Sequence, residues 1–316
     1  MTGPARWFVV GNPVSGGGRA MRLWPRLAAA LTRQHIPHEF AATSEPGDAT
    51  RLATAALAAG HRRLLAIGGD GTFNELVNGL FAAGPPPPDS LVAAAAAGTG
   101  NDWARTMTVP DDPDRLAGCM ARSALRRVDL GLALESDGRP RAWFHNVAGA
   151  GLDAEVLRRT PRRGPRSLAY LAGLTRTLAR YRSPRFTIRA DGRLVEGVFW
   201  LASIAIGPRC GGGMRLAPRA IVDDGWFDLV TVNPLSLGGT LARLPKLFDG
   251  RLDGDPAFQV TRCRRVVIEA EPGCGVQVDG QSAGGTPVTL SLLPGALGAL
   301  DCRASAERAE DLRELR

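Results

Sequence analysis

The stretch LAIGGDGTFNELVNGLF, residues 65–81, constrains the local fold more tightly than any other part of the chain. Leu64, Leu65, Ala66 and Ile67 form an apolar run that reads as a buried strand, and Gly68-Gly69-Asp70-Gly71 follows at once. A helix is expected from Thr72, with Thr72 as N-cap, Glu75 completing a capping box, and Leu76, Val77, Leu80 and Phe81 on the buried face. Glycines at such a junction let the backbone turn sharply and approach a ligand closely. The helix N-terminus offers free N–H groups and a positive dipole end, which suits phosphate. Asp70 sits inside that anion cradle. Alone it repels phosphate, so its use is through a metal ion bridging carboxylate and phosphate. The segment reads as a nucleotide-phosphate site with a magnesium partner.

The flanking sequence repeats the pattern. A strand at residues 8–10 leads into a glycine loop at 12–18 and a helix through Leu23, Leu27, Ala30 and Leu31. A strand at 38–41, a helix started by Asp48, the strand at 64–67 and a strand at 91–96 continue the βα alternation. This predicts a parallel sheet with ligands at the strands' carboxyl ends, where Val9, Ile67 and Ala96 each deliver a glycine loop to one edge. After about residue 127 the texture changes to short strands with hairpin signals, Asp137-Gly138 and Asp191-Gly192. Strands are expected at 131–134, 142–147, 186–189, 195–206, 227–232, 258–260, 265–270, 275–278 and 288–293, with helices at 167–181 and 237–248. The predicted organisation is an α/β domain over 1–127, an antiparallel β-rich domain over 128–302 and a charged tail over 303–316.

Composition narrows the partners. The 316 residues carry a net charge of +8, nearly all from arginine, since Lys246 is the sole lysine. A basic surface suits an anionic bilayer, where each exposed cation contributes about 1 kcal/mol. Aromatics are few and no nucleic-acid-binding module is visible, which sets nucleic acid aside. No apolar run reaches the ~20 residues of a membrane span. The start has no signal-peptide pattern, and five scattered cysteines without C-x-x-C pairing point to a reducing compartment rather than zinc or disulfides. The four histidines lack metal-ligand spacing. These features imply a cytoplasmic protein, peripheral at the inner membrane surface.

Three blocks in order carry a family resemblance: VVGNPVSGGG at 9–18, GGDGT at 68–72 and AGTGNDWAR at 97–105. They resemble the signatures of diacylglycerol kinases, sphingosine kinases and bacterial lipid kinases, and more distantly NAD kinases. HNVAGAGLDAEV at 145–156, GGGMRLAPRAIVDDGWFD at 211–228 and VDGQ at 278–281 extend the likeness over nearly the whole chain. The resemblance implies an NAD kinase/diacylglycerol kinase-like α/β domain that binds ATP and magnesium, a β-rich domain that holds a lipid, and phosphoryl transfer to a lipid hydroxyl. It implies nucleotide contacts at Asn12, Pro13, Val14, Ser15, Gly16, Thr43, Gly68, Gly69, Asp70, Gly71, Thr72, Phe73, Asn74 and Thr99. Asp70 and Asp102 form the acidic pair that two loop–helix junctions bring to hydrated magnesium, and Asp102 also reads as a simple N-cap. A second, structural magnesium site is implied at Ile221, Asp224 and Trp226, where the residues alone also allow a plain Asp-Gly turn.

Two departures stand out. Many bacterial relatives read D-G-E where this chain has Asp279-Gly280-Gln281, and a glutamine does not ionise. Gln281 is therefore a catalytic-site residue without the base function. Gly207 stands where the family has an asparagine. The basic run RRTPRRGPR at 158–166 reads either as a membrane-facing lip beside the lipid pocket or as a solvated loop. Two rival functions follow: an NAD kinase-like small-molecule kinase, disfavoured by the first and third blocks, and a catalytically weak lipid- or nucleotide-binding protein, favoured by Gln281.

Overall fold

A computed structural model describes residues 6–159, 181–252 and 254–303. The chain forms two compact units, Met1–Val128 with Leu297–Arg316, and Asp129–Ala296. The expected helix at 167–181, all but Tyr181, and the basic run from residue 160 onward lie outside the described residues, as does the tail from 304.

In the first unit the elements run β1 (Trp7–Gly11), α1 (Arg19–Arg33), β2 (His38–Ala42), α2 (Asp48–Ala58), β3 (Arg63–Gly68), α3 (Asp70–Leu80), β4 (Leu91–Ala96), α4 (Asp102–Thr106) and α5 (Pro113–Arg122). The strands pair in the order β2-β1-β3-β4, all parallel. Apolar runs such as Leu64–Ile67 and Leu91–Ala95 are buried along their length, as expected for parallel strands covered on both faces. On one side Leu27, Ala30 and Leu31 of α1 share a cluster with Leu116, Ala117 and Met120 of α5. Elsewhere α2 and α3 pack at backbone distance. A Cβ on Gly79 would lie 2.3 Å from the Thr50 carbonyl oxygen, and the Thr54 hydroxyl donates to the Gly79 carbonyl (2.9 Å).

The second unit receives β5 (Leu125–Leu134) and continues with β6 (Pro140–Phe144), β7 (Val147–Gly151), α6 (Leu152–Arg159), β8 (Arg185–Ala190), β9 (Arg193–Val198), β10 (Leu201–Ala205), β11 (Phe227–Val232), α7 (Leu237–Asp249), β12 (Phe258–Cys263), β13 (Arg265–Glu271), β14 (Gly275–Val278), β15 (Gln281–Gly285) and β16 (Val288–Leu300). One antiparallel sheet has the order β12-β11-β10-β7-β14-β15. In the other, β13 pairs antiparallel with β16 and β8, and β8 with β9.

The fold is thus the expected pair, a parallel α/β region and an antiparallel β region. Two details differ. The single strand expected at 195–206 is two strands, β9 and β10, which belong to different sheets, so the chain changes layer at Phe199 and Trp200. The expected boundary at 302 also moves. Leu297 to Leu300 return to the first unit, where Ala299 pairs parallel with Val92 of β4.

Candidate active site

Three loops leave the carboxyl ends of β1, β3 and β4 and are laced to one another. Asn12 donates its N–H to the Ile67 carbonyl (3.0 Å) and its side-chain amide to Thr72 Oγ1 (3.1 Å), while its Oδ1 accepts the Val14 N–H (3.2 Å). Gly16, Gly17 and Gly18 hold φ of 57°, 66° and 83°, a left-handed run that only glycine adopts cheaply. A Cβ on Gly16 would also lie 2.1 Å from the Ala97 carbonyl oxygen. Gly69 and Gly98 meet backbone to backbone: a Cβ on Gly98 would lie 2.3 Å from the Gly69 Cα. Arg19 donates to the carbonyls of Gly16 (3.2 Å) and Gly98, joining the first loop to the third. Asn101 closes the third loop, its Oδ1 accepting the Gly98 N–H (2.8 Å) and its Nδ2 donating to the Gly98 carbonyl (3.1 Å).

The capping box expected at Thr72 and Glu75 is not formed. Helix α3 starts two residues earlier, at Asp70, with Gly69 as N-cap and no side-chain cap. Thr72 instead receives Asn12, and Glu75 Oε2 accepts the N–H groups of Gly47 (3.1 Å) and Ala49 (3.3 Å) at the start of α2. Asp70 Oδ1 accepts the Trp103 N–H (3.0 Å), so this carboxylate from α3 caps α4. Asp102 is not the N-cap of α4 but its first residue, after Asn101 at φ 57°, and it is buried. Asp70 and Asp102 thus belong to neighbouring helix starts. A carboxylate pair of this kind fits a hydrated magnesium ion that keeps most of its waters and takes phosphate oxygens. A cavity of about 10 Å³, room for about one water, lies against Gly68, Gly69, Asp70 and Asn101.

The remaining expected contacts divide. Thr43 stands at the same strand edge, its N–H on the Gly11 carbonyl (2.9 Å). Pro13, Val14, Ser15 and Thr99 belong to the same loops and Gly71 to the first turn of α3, with Val14, Gly71 and Thr99 exposed. Phe73 and Asn74 are buried, and the Phe73 ring stacks on Trp103 (5.4 Å between centroids). Phe73 is a core residue holding α3 against α4. Arg19 and Asn101 carry much of the lacing without having been singled out; Arg19 follows the first glycine block and Asn101 lies in the third, and their side-chain targets are backbone groups that no motif encodes.

In the second unit, Asp279 (φ 44°) and Gly280 (φ 76°) make the two-residue turn that joins β14 to β15, and Gln281 opens β15. The turn is held from two sides. The buried Asp279 carboxylate accepts the N–H groups of His145 (2.9 Å), Asn146 (3.2 Å) and Val147 (2.9 Å) and pairs with His145 Nδ1 (2.8 Å). Burial pushes its acidity toward the neutral form, but the His145 imidazole and the N–H donors outweigh it and hold the carboxyl below its ordinary value. On the other side Gln277 Oε1 accepts the Gly280 N–H (2.9 Å), and Gln277 Nε2 donates to the half-buried Asp153 (3.0 Å). Burial pushes Asp153 up to about 6, against the hydrogen bonds it accepts from Gln277 and the Ala154 N–H. Gln281 is half-buried. Gly207 has a steric reason: a Cβ there would lie 2.3 Å from Asn146 Oδ1.

At the expected structural metal site the Asp224 carboxylate is bound by protein groups. Asp224 Oδ1 accepts the Trp226 N–H (3.0 Å), Asp224 Oδ2 pairs with the Arg262 guanidinium, and Ile221 is half-exposed. Among the described residues no group of three or more His, Cys, Asp or Glu side chains is placed to hold a metal ion.

Comparison with known proteins follows this geometry. Residues 6–133 match the family model described as the diacylglycerol kinase catalytic domain, and residues 146–301 match the YegS C-terminal NAD kinase beta sandwich-like domain. A Pseudomonas aeruginosa protein named "Probable lipid kinase YegS-like" is 34% identical over 279 residues, covering 85% of this chain and 87% of that protein. The chain belongs to the diacylglycerol kinase-like lipid kinase family. A Mycobacterium tuberculosis relative named "Diacylglycerol kinase" is 30% identical over 293 residues, covering 92% and 93% of the two chains. The crystal structure of a diacylglycerol kinase from Bacillus anthracis str. Sterne shares the fold, with a TM-score of 0.70 at 23% identity over 97% of this chain and 99% of that one. The laced glycine loops of this family member all fall within the catalytic-domain match, and the Asp279 turn falls within the second.

Proposed function

We propose that this kinase transfers the γ-phosphoryl group of ATP to the hydroxyl of a lipid. The observation that supports it best is the lacing of three glycine loops at one sheet edge, in a chain of the lipid kinase family. Backbone N–H groups of residues 16–18 and 69–71, with the α3 N-terminus, bind and orient the phosphates. Asp70 and Asp102 are the residues that hold magnesium, which neutralises phosphate charge when bound. A loose phosphoryl-transfer transition state asks for positioning and charge neutralisation more than for proton removal. Gln281 accepts the acceptor hydroxyl's proton as a hydrogen bond and orients its oxygen, but it does not remove the proton. The acceptor is a bilayer lipid met at an anionic surface; among the described residues no helix is long and apolar enough to cross a membrane.

Gln281 also supports a second reading, a weakly active lipid- or nucleotide-binding protein. Incubation with radiolabelled ATP, magnesium and vesicles carrying diacylglycerol, monoacylglycerol, phosphatidylglycerol or a long-chain base, beside NAD, separates the readings. Label in a lipid product is expected. Label in NAD, or in no acceptor, overturns the proposal. Gln281→Glu restores a base and is expected to raise turnover, within the ~10²–10⁴-fold worth of general-base assistance.

A further inference from the structure

We propose that the guanidinium groups of Arg262 and Arg264 hold the loop 220–226 in the place of a divalent cation, so that this loop stays folded without metal. The loop lies in the second unit and leads into β11, which pairs with β12 so that Asp228 faces Arg262. Such a cation would supply positive charge to the Asp224 carboxylate and would draw in carbonyl oxygens of the loop. In this chain the protein supplies both. Arg262 pairs with Asp224 Oδ2, and its Nε lies 4.0 Å from Asp228 Oδ1. Arg264 Nε donates to the Gly225 carbonyl (3.1 Å). Both guanidinium groups stand over the Trp226 ring, 5.4 and 4.4 Å from its centroid, which fixes their planes against the loop.

Three further polar groups of the loop are bound within the protein. The Gly225 N–H goes to Asp129 Oδ2 (2.7 Å), the Val222 carbonyl accepts the Asp129 N–H (2.7 Å), and the Trp226 N–H goes to Asp224 Oδ1 (3.0 Å). Asp129 Oδ1 is in turn taken by the Gly295 N–H (2.8 Å). A magnesium ion demands near-ideal octahedral oxygen ligands and gives up water reluctantly. At Asp224 it would compete with the Arg262 guanidinium for the carboxylate and sit beside that arginine's charge. Arginine keeps its charge at every relevant pH and offers a rigid fork of donors, which suits it to this substitution.

The test uses the full chain without nucleotide, with thermal unfolding followed in EDTA and in magnesium or calcium chloride at matched ionic strength. The wild-type midpoint is expected to be the same in each. Arg262→Ala removes the guanidinium that pairs with Asp224 and lies beside Asp228. This variant is expected to unfold about 2–4 °C lower in EDTA and to regain that loss in calcium. A wild-type midpoint that rises saturably with magnesium or calcium, and no longer does so in Asp224→Asn, overturns the proposal. Should Arg262→Ala not fold, the wild type decides by manganese titration read by electron paramagnetic resonance. No site sensitive to Asp224→Asn is expected, and one such site overturns the proposal.

Discussion

The glycine-loop edge and the Asp279 turn solve the same problem, fixing loop residues in place, by opposite means. At the first, backbone meets backbone. Gly69 and Gly98 approach so closely that a methyl group on Gly98 has no room, and the side chains of Asn12, Arg19 and Asn101 reach a neighbouring loop hydroxyl or backbone carbonyls. At the second, buried charge does the fixing. The Asp279 carboxylate gathers three N–H groups and an imidazole, while Asp153 holds Gln277 against the turn. The difference matches the ligand chemistry proposed for each. A phosphate chain is bound by N–H groups that must be brought close and left facing outward. A lipid hydroxyl needs one oriented side chain, and a rigid turn provides it.

The strongest test of the contrast is Asp70, a carboxylate that acts at the backbone-built edge. Asparagine keeps the Oδ1 that accepts the Trp103 N–H and removes only the charge. Asp70→Asn is therefore expected to keep the wild-type unfolding midpoint and to lose about 10²–10³-fold or more in phosphoryl transfer, the scale of removing one electrostatic stabiliser. Transfer assays on the folded variant check this. Near-normal transfer would remove Asp70 from the magnesium-holding pair.

The glycines give a second, smaller test. Gly98 needs its missing side chain for space alone: the obstructing atom of Gly98→Ala is the Gly69 Cα, which is backbone and does not swing aside. Gly60, after α2, is the converse, with φ of 92° and nothing within 4 Å of an added Cβ. Gly98→Ala is expected to lose about 1–3 kcal/mol of stability through overpacking and to depress transfer, because it pushes the second loop from the third. Gly60→Ala is expected to lose about 1 kcal/mol from left-handed strain with transfer intact. Denaturant unfolding and transfer rates on both variants check the pair.

This contrast also explains what was legible in the sequence. Steric need for glycine is local, so 12–18, 68–71 and 98–101 announce themselves as blocks, and the apolar strands before them fix the sheet edge. What escaped was long-range. Glu75 stands three residues from Thr72 and looks like half of a capping box, yet its acceptor oxygen serves Gly47 and Ala49 of another helix. Phe73 lies inside a motif but packs on Trp103. The strand expected at 195–206 breaks because Phe199 and Trp200 are buried where the chain passes between layers, which alternation alone does not mark. Arg262 and Asp224 are 38 positions apart, as Asp153 and Gln277 are 124 apart, and no spacing rule joins them.

The charge-built region carries a pH signature. Burial raises the Asp153 carboxyl from an ordinary 3.8 to about 6, so the folded chain binds this proton more tightly than the unfolded chain does. Stability falls with rising pH wherever the folded state holds the extra proton. The contribution is therefore fully present below about pH 4, declines as pH climbs, and is lost once pH has passed through about 6. Between about pH 5 and 7 this group alone is expected to remove about 1 kcal/mol. The wild-type curve by itself does not isolate one group. Asp153→Asn does: the amide keeps an oxygen for the Gln277 Nε2 donor and has no proton to lose. The difference in unfolding free energy between variant and wild type, measured by denaturant titration at a series of pH values, is expected to shift in the variant's favour by about 1 kcal/mol from pH 5 to pH 7. A difference that stays flat across that range would mean that Asp153 is ionised throughout. The Gln277 clamp on the turn would then rest on a carboxylate charge rather than on a shared proton.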